Sequence, residues 1–198
     1  KADADRQNRL TVLRGMKEVH RRGELVRKLN KQLSEAILAN AYDTVTQLID
    51  DGAIADYEPP HGYTALIMAA ERDVKCHNKD GDIIQAVCAL LDREEHQAQV
   101  GRESRKLGFT PLTRAAHKGK TSAMEQLLRR SANPNYVTRY GATAGTTALI
   151  VAARNGKAGS VRLLLEWGAD PELKDASGES AIGAARKMNF TTACRELC

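Results

Sequence analysis

With 198 residues, 42% of them hydrophobic, the chain is long enough to bury a substantial core as a single elongated domain. Its 4% of aromatic residues argues against a β-sandwich, whose strands favour bulky and branched side chains, and no run approaches the roughly 18 apolar residues of a membrane span. The formal net charge of +5 is concentrated at the start: residues 1–31 hold ten lysines and arginines against four acids, which leaves the remainder at −1.

Residues 5–40 read as helix, with Val12, Met16, Val19, Val26, Leu33 and Ile37 on an alternating three-and-four spacing. Gly23 and Asn30 fall on the same seam, where apolar residues are preferred, so a break is predicted near Gly23, with the later half packed on the first repeated unit. Residues 1–30 are therefore set apart as a basic amphipathic helical segment ahead of a domain at 31–198. That domain opens with a degenerate pair of short helices, LSEAILAN and YDTVTQLIDDGAIAD, in a unit at about 31–58; Pro59 and Pro60 mark the loop after it.

A clearer unit begins at Gly62-Tyr63-Thr64-Ala65-Leu66-Ile67-Met68-Ala69-Ala70 and extends to about residue 100. Its inter-helix turn is expanded by VKCHNKDGD, its second helix is predicted from Asp82 to Asp92, and the polar stretch REEHQAQVGRESRK delays the next unit. The third unit, 108–137, carries Thr110 as a cap with Pro111 at the first helical position, the strongest helix start in the chain. After Asn135 a longer tip, YVTRYGATA, leads to the fourth unit at 145–175, GTTALIVAARNGKAGSVRLLLEWGADPELKD. There Thr147 is placed to cap one helix, Gly156 to end it with φ > 0, and Pro171 to stop the second. A partial unit, GESAIGAARKMNFTTACRELC, occupies 178–198.

The glycines that open these units stand 46, 37 and 33 residues apart at Gly62, Gly108, Gly145 and Gly178. The repeated Gly-x-Thr-x-Leu openings, alanine-rich first helices and Gly-Ala-Asp-Pro ending resemble the ankyrin family, whose period is about 33 residues. The resemblance covers residue 31 to the end. It implies an all-α fold: an ankyrin-repeat solenoid of about five helix-turn-helix units, here preceded by the basic amphipathic helix. The sequence departs from the family at the position after Thr-Pro-Leu, usually histidine, which is Ile67, Thr113, Ile150 and Gly183. The family's Thr-to-His network between repeats is thus missing, and apolar contact through Ile67 and Ile150 is expected in its place.

Catalytic and metal motifs are weak. Gly119-Lys120-Thr121 matches only the end of a phosphate-binding loop, with Arg114 where the first glycine should stand, so Gly119 is read as a helix end. Asn78-Lys79-Asp80-Gly81-Asp82 resembles the middle of a calcium loop, but Cys76 and Val87 occupy two ligand positions. Asn189-Phe190-Thr191 is a sequon placed between two helices, and His20, His61, His77, His96 and His117 are scattered. Cys76, Cys88, Cys194 and Cys198 lack the spacing of a disulfide framework, which favours a reducing compartment, and nothing completes a zinc set around the last two. No enzyme activity, cofactor, metal or small-molecule substrate is expected.

The resemblance implies binding through loop tips and the exposed side of the first helices, which together form a concave face. Carried onto this sequence, the exposed positions are Met68, Glu71 and Arg72, then Arg114, His117 and Lys118, then Val151, Arg154 and Asn155, and last Ala184, Lys187 and Met188. Arg72, Arg114, Lys118, Arg154 and Lys187 would draw a basic line along that face, with His117 beside it. The tip with Tyr136, Arg139 and Tyr140 is the better candidate, read as a flexible loop with exposed anchors, because Tyr and Arg are enriched at interface centres. The expected function is a non-catalytic protein–protein interaction or scaffold module, a structural subunit of a larger assembly in the cytoplasm or on the cytoskeleton. The alternative is attachment to an acidic polymer, a microtubule lattice or RNA, through Arg6, Arg9, Arg14, Lys17, Arg21, Arg22, Arg27 and Lys28. No aromatic residue precedes Tyr42, so such contact would ignore base sequence.

Overall fold

The computed structural model describes residues 2–39, 41–53, 58, 62–71 and 100–197. Among them are nine α-helices and no strand: α1 (Ala2–Ala39), α2 (Tyr42–Asp50), α3 (Ala65–Glu71), α4 (Pro111–Lys118), α5 (Thr121–Arg129), α6 (Ala148–Arg154), α7 (Ala158–Glu166), α8 (Ala181–Lys187) and α9 (Thr191–Leu197). The predicted second helix of the second unit, the VKCHNKDGD insertion, Pro59, Pro60 and Arg72 lie outside the described residues.

Two rows of helices result. The first helices α3, α4, α6 and α8 pack successively side by side, and each of α4, α6 and α8 also packs on its own second helix, α5, α7 and α9. Close approach within the first row comes from an alanine pair at its centre, Ala69-Ala70, Ala115-Ala116, Ala152-Ala153 and Ala184-Ala185, all sealed from solvent. The larger side chains that fill the space between the rows are Met124 and Leu127 of α5 and Val161 and Leu164 of α7, also fully buried. Ile67 and Ile150 are buried as well, so apolar packing does occupy the position where the family usually places histidine.

Helix ends are set by local chemistry. The Thr110 hydroxyl accepts from the Thr113 amide and the Thr113 hydroxyl accepts from the Thr110 amide, a reciprocal capping box ahead of Pro111. Thr147 and Ser180 cap α6 and α8 through their hydroxyls, accepting from the Ile150 and Gly183 amides. Gly119 closes α4 in the left-handed conformation, φ 76°, as a helix end and not as part of a phosphate cradle.

Helix α1 corrects one expectation, because it runs without a break through Gly23. A single interior glycine costs about 1 kcal/mol, and the arginines, lysines, leucines and glutamate around it are good helix formers that carry the ladder across. The same helix joins the basic segment to the first unit. Its last turns bury Asn30, Leu33, Ala36 and Ile37 against α2 and α3, while Val45, Leu48 and Ile49 of α2 complete that end of the core.

Three of the opening glycines sit hard against the loop of the next unit, and at Gly62 an added Cβ would fall 2.9 Å from that of Lys106. Gly108 has φ 74°, and a Cβ placed on it would fall 1.8 Å from the Tyr140 carbonyl oxygen; at Gly145 the clash would be with Ala176, 2.8 Å away. Gly178 opens the last unit, and nothing among the described residues lies within 4 Å of its missing Cβ. Three positions expected on the exposed side of the first helices, Met68, Val151 and Ala184, are buried, so the open part of that face is narrower than predicted. Because Leu164 is fully buried between the two rows, Leu164→Ala is expected to lower the unfolding free energy by about 2–5 kcal/mol, read by denaturant titration.

Candidate functional site

The tip ahead of the fourth unit is a closed, pinned loop. Thr138 and Thr146 face each other across it: the Thr138 amide donates to the Thr146 carbonyl at 2.9 Å, the Gly145 amide donates to the Thr138 carbonyl at 2.6 Å, and a 3-10 turn at Gly141–Thr143 forms the apex. The Thr138 side chain is buried, and its hydroxyl donates to the Thr143 carbonyl inside the loop. The expected flexible loop is therefore corrected to a folded one, closed from within by threonine hydrogen bonds.

A carboxylate absent from the predicted site holds the tip in place. Glu103 is only 7% exposed and comes from the polar stretch before the third unit. Its oxygens accept the Tyr136 hydroxyl at 3.0 Å, the Arg139 amide at 2.8 and 2.9 Å, and the Tyr140 amide at 2.7 Å. Burial pushes the Tyr136 phenol up, and the bond to Glu103 and its charge add to the shift. The loop carrying Glu103 is itself tied back, since Glu58 accepts the Ser104 hydroxyl at 2.7 Å and the Lys106 amide at 3.2 Å. Tyr136 is half-buried, with its hydroxyl tied to Glu103. Val137 and Tyr140 are each 43% exposed, and Arg139 is exposed beside them.

The basic line predicted along the first helices becomes, among the described residues, a line of ion pairs. Arg114 donates to both oxygens of Glu71, at 2.9 and 2.8 Å, and to the Tyr63 hydroxyl at 3.1 Å, while its guanidinium lies over the Tyr63 and Phe109 rings. It is 11% exposed, and Lys118 reaches the same carboxylate at 3.3 Å. Arg154 meets Asp175 at 2.6 Å and Glu179 at 3.2 Å, and Lys187 meets Glu179 at 3.7 Å. Arg114, Lys118, Arg154 and Lys187, expected to face a partner, each face an acid of a neighbouring unit or of their own. Burial works to raise the Asp175 carboxyl, but hydrogen bonds from Ser177, Glu179 and Arg154 overcome it and hold the group well below the usual carboxylate range. His117 stands edge-on to Phe109 with its buried Nδ1 unbonded, and its pKa is lowered by burial, then by Arg114 and Lys118.

On α1, Arg21, Arg22, Arg27 and Lys28 belong to the described stretch and all four are exposed. Arg6, Arg9, Arg14 and Lys17 lie within the helix, and their side chains are outside the described residues. Among the described residues no group of three or more His, Cys, Asp or Glu side chains could hold a metal, and no helix is long and apolar enough to cross a membrane.

A family model described as ankyrin repeats (3 copies) matches residues 74–175, half of the sequence. The chain belongs to the ankyrin-repeat family. No curated protein matches it. Ankyrin repeats are in general protein-interaction modules, typically without catalysis, and the solenoid with its stacked tips has the corresponding architecture.

The anchored tip and the half-buried histidine can each be tested in solution. Glu103→Ala should release the Arg139 and Tyr140 amides to fast hydrogen exchange while those of α6 and α7 keep their protection, read residue by residue by NMR. For His117 the folded pKa lies below the unfolded value of 6.5, so its contribution to stability is complete above that value and is lost as pH falls below it. His117→Gln should therefore flatten the loss of thermal stability as pH falls through 6.5, read by melts taken on either side of that value.

Proposed function

We propose that this ankyrin solenoid is a non-catalytic protein-binding scaffold, a fixed subunit of a larger cytoplasmic assembly, and that the tip before the fourth unit is its principal contact. The observation that carries this reading is the exposure of Val137, Arg139 and Tyr140 on a loop whose backbone is fixed by Glu103. An interface gains from a rigid display because little conformational freedom is lost on binding. His117, Lys118, Arg154 and Lys187 would contribute along the first-helix face as half-buried or exposed groups, and Arg72 belongs to the same proposed row. Arg114, clamped between Glu71 and two rings, would act there by holding Glu71 in place. The cytoplasmic placement rests on the cysteine spacing alone.

A second reading keeps Arg21, Arg22, Arg27 and Lys28 of α1 as a docking arm for an acidic polymer. Photo-crosslinkers placed at Tyr140 and, separately, at Lys28 in the whole polypeptide in its native cell separate the two. The first reading expects a discrete protein adduct from position 140, with Arg139→Glu abolishing it and leaving the melting temperature unchanged. Adducts only from position 28, to RNA or to a cytoskeletal polymer and dispersed by salt, would favour the second.

A further inference from the structure

The loop at 101–107 and the tip at 137–141 form one surface. Glu103 takes the Arg139 and Tyr140 amides, the Tyr140 carbonyl abuts Gly108 so tightly that no side chain fits there, and the Thr143 hydroxyl donates to the Gly108 carbonyl. Arg105 on the first loop and Arg139 on the second are both exposed, and neither has a carboxylate partner among the described residues. Elsewhere in the solenoid Arg114, Arg129, Arg154 and Arg162 are ion-paired, while Arg186 of α8 is exposed as Arg105 and Arg139 are. The acid that lies between the two loops does not offset them outwardly, because Glu103 is turned inward and its oxygens are occupied by three donors. Exposed Val137 and Tyr140 belong to the same tip as Arg139.

We propose that this double loop takes an acidic peptide segment of a protein partner, in which aspartates or glutamates flank an aliphatic or aromatic side chain. The assignment rests on the protein-binding reading above and adds the chemistry of the bound segment. The flanking carboxylates pair with Arg105 and Arg139, whose guanidinium groups suit a planar carboxylate, and the apolar side chain covers Val137 and Tyr140. A nucleic acid fits the patch less well. Even with Arg102 and Lys106 beside them, Arg105 and Arg139 neutralise few phosphates, and the aliphatic Val137 gains nothing from a sugar-phosphate chain.

Selection of short random peptides displayed on phage against the immobilised 198-residue chain tests this directly. Enriched sequences should be acidic with one or two large apolar residues. Synthetic copies should bind roughly tenfold or more weakly to the Arg105→Glu, Arg139→Glu double variant and to Tyr140→Ala, with thermal melts unchanged. Arg105→Gln with Arg139→Gln should give an intermediate loss and a shallower salt dependence. Enrichment of neutral or basic peptides, no enrichment, equal binding by the double variant, or displacement of the peptide by oligouridylate at comparable concentration would overturn the proposal. A discrete protein adduct from Tyr140 whose contact segment is not acidic would overturn this assignment alone and leave the scaffold reading standing.

Discussion

A carboxylate removed from water is tolerated only when its lone pairs are filled, and the order of this solenoid at its irregular middle depends on one such group. Glu103 is filled by a phenol and two backbone amides, all from the tip of the next unit. The two spacings that exceed the ankyrin period, 46 and 37 residues, belong to the loop that supplies Glu103 and to the tip that supplies the donors. The extra residues of one therefore find their partners in the extra residues of the other. Gly108 makes the approach sterically possible, since a β-carbon there would collide with the Tyr140 carbonyl. Two insertions that could each have loosened the stack tie it together.

Charge on the first-helix face is committed to the stack as well. Arg114 joins the third unit to Glu71 of the second and is covered by rings from both, while Arg154 joins the fourth unit to Asp175 and Glu179 ahead of α8. Half-buried pairs of this kind are less screened than exposed ones, and breaking one leaves a charge without its partner. Where relatives of the family use a threonine-to-histidine network, this chain has buried Ile67 and Ile150, which pack without direction. The directional part of unit-to-unit contact has moved from the helix starts to the loop carboxylates and to these arginines.

The helix starts and ends of the later units were legible because their causes are local. Thr110 with Pro111, Thr147, Gly119 and Gly156 act on neighbours three or four residues away, and periodicity exposes them. The break expected at Gly23 failed because one glycine was weighed more heavily than the strong helix formers around it. Glu103 was not legible as part of the site, since its partners lie 33 to 37 residues on and a charged residue is ordinarily placed on the surface. A faint signal was present. Glu58, Glu103 and Asp175 each stand three to five positions before a unit's opening glycine, and each accepts at least one backbone amide of a loop. Of the predicted contacts, exposure could be read for Arg139 and Tyr140, while the acids that face Arg114 and Arg154 could not.

Tyr136 and Tyr140 show how the same carboxylate holds two residues of one tip in different ways. Both belong to one tip and are four residues apart, so composition assigns them the same role. Glu103 separates them by bonding the side chain of the first and only the backbone of the second. Tyr136 is half-buried with its hydroxyl on Glu103, whereas Tyr140 has its amide fixed and its side chain left open to solvent. A partner that covers Tyr140 then meets a ring whose backbone was set before binding. In the proposed interface a change at Glu103 would act through the placement of that ring.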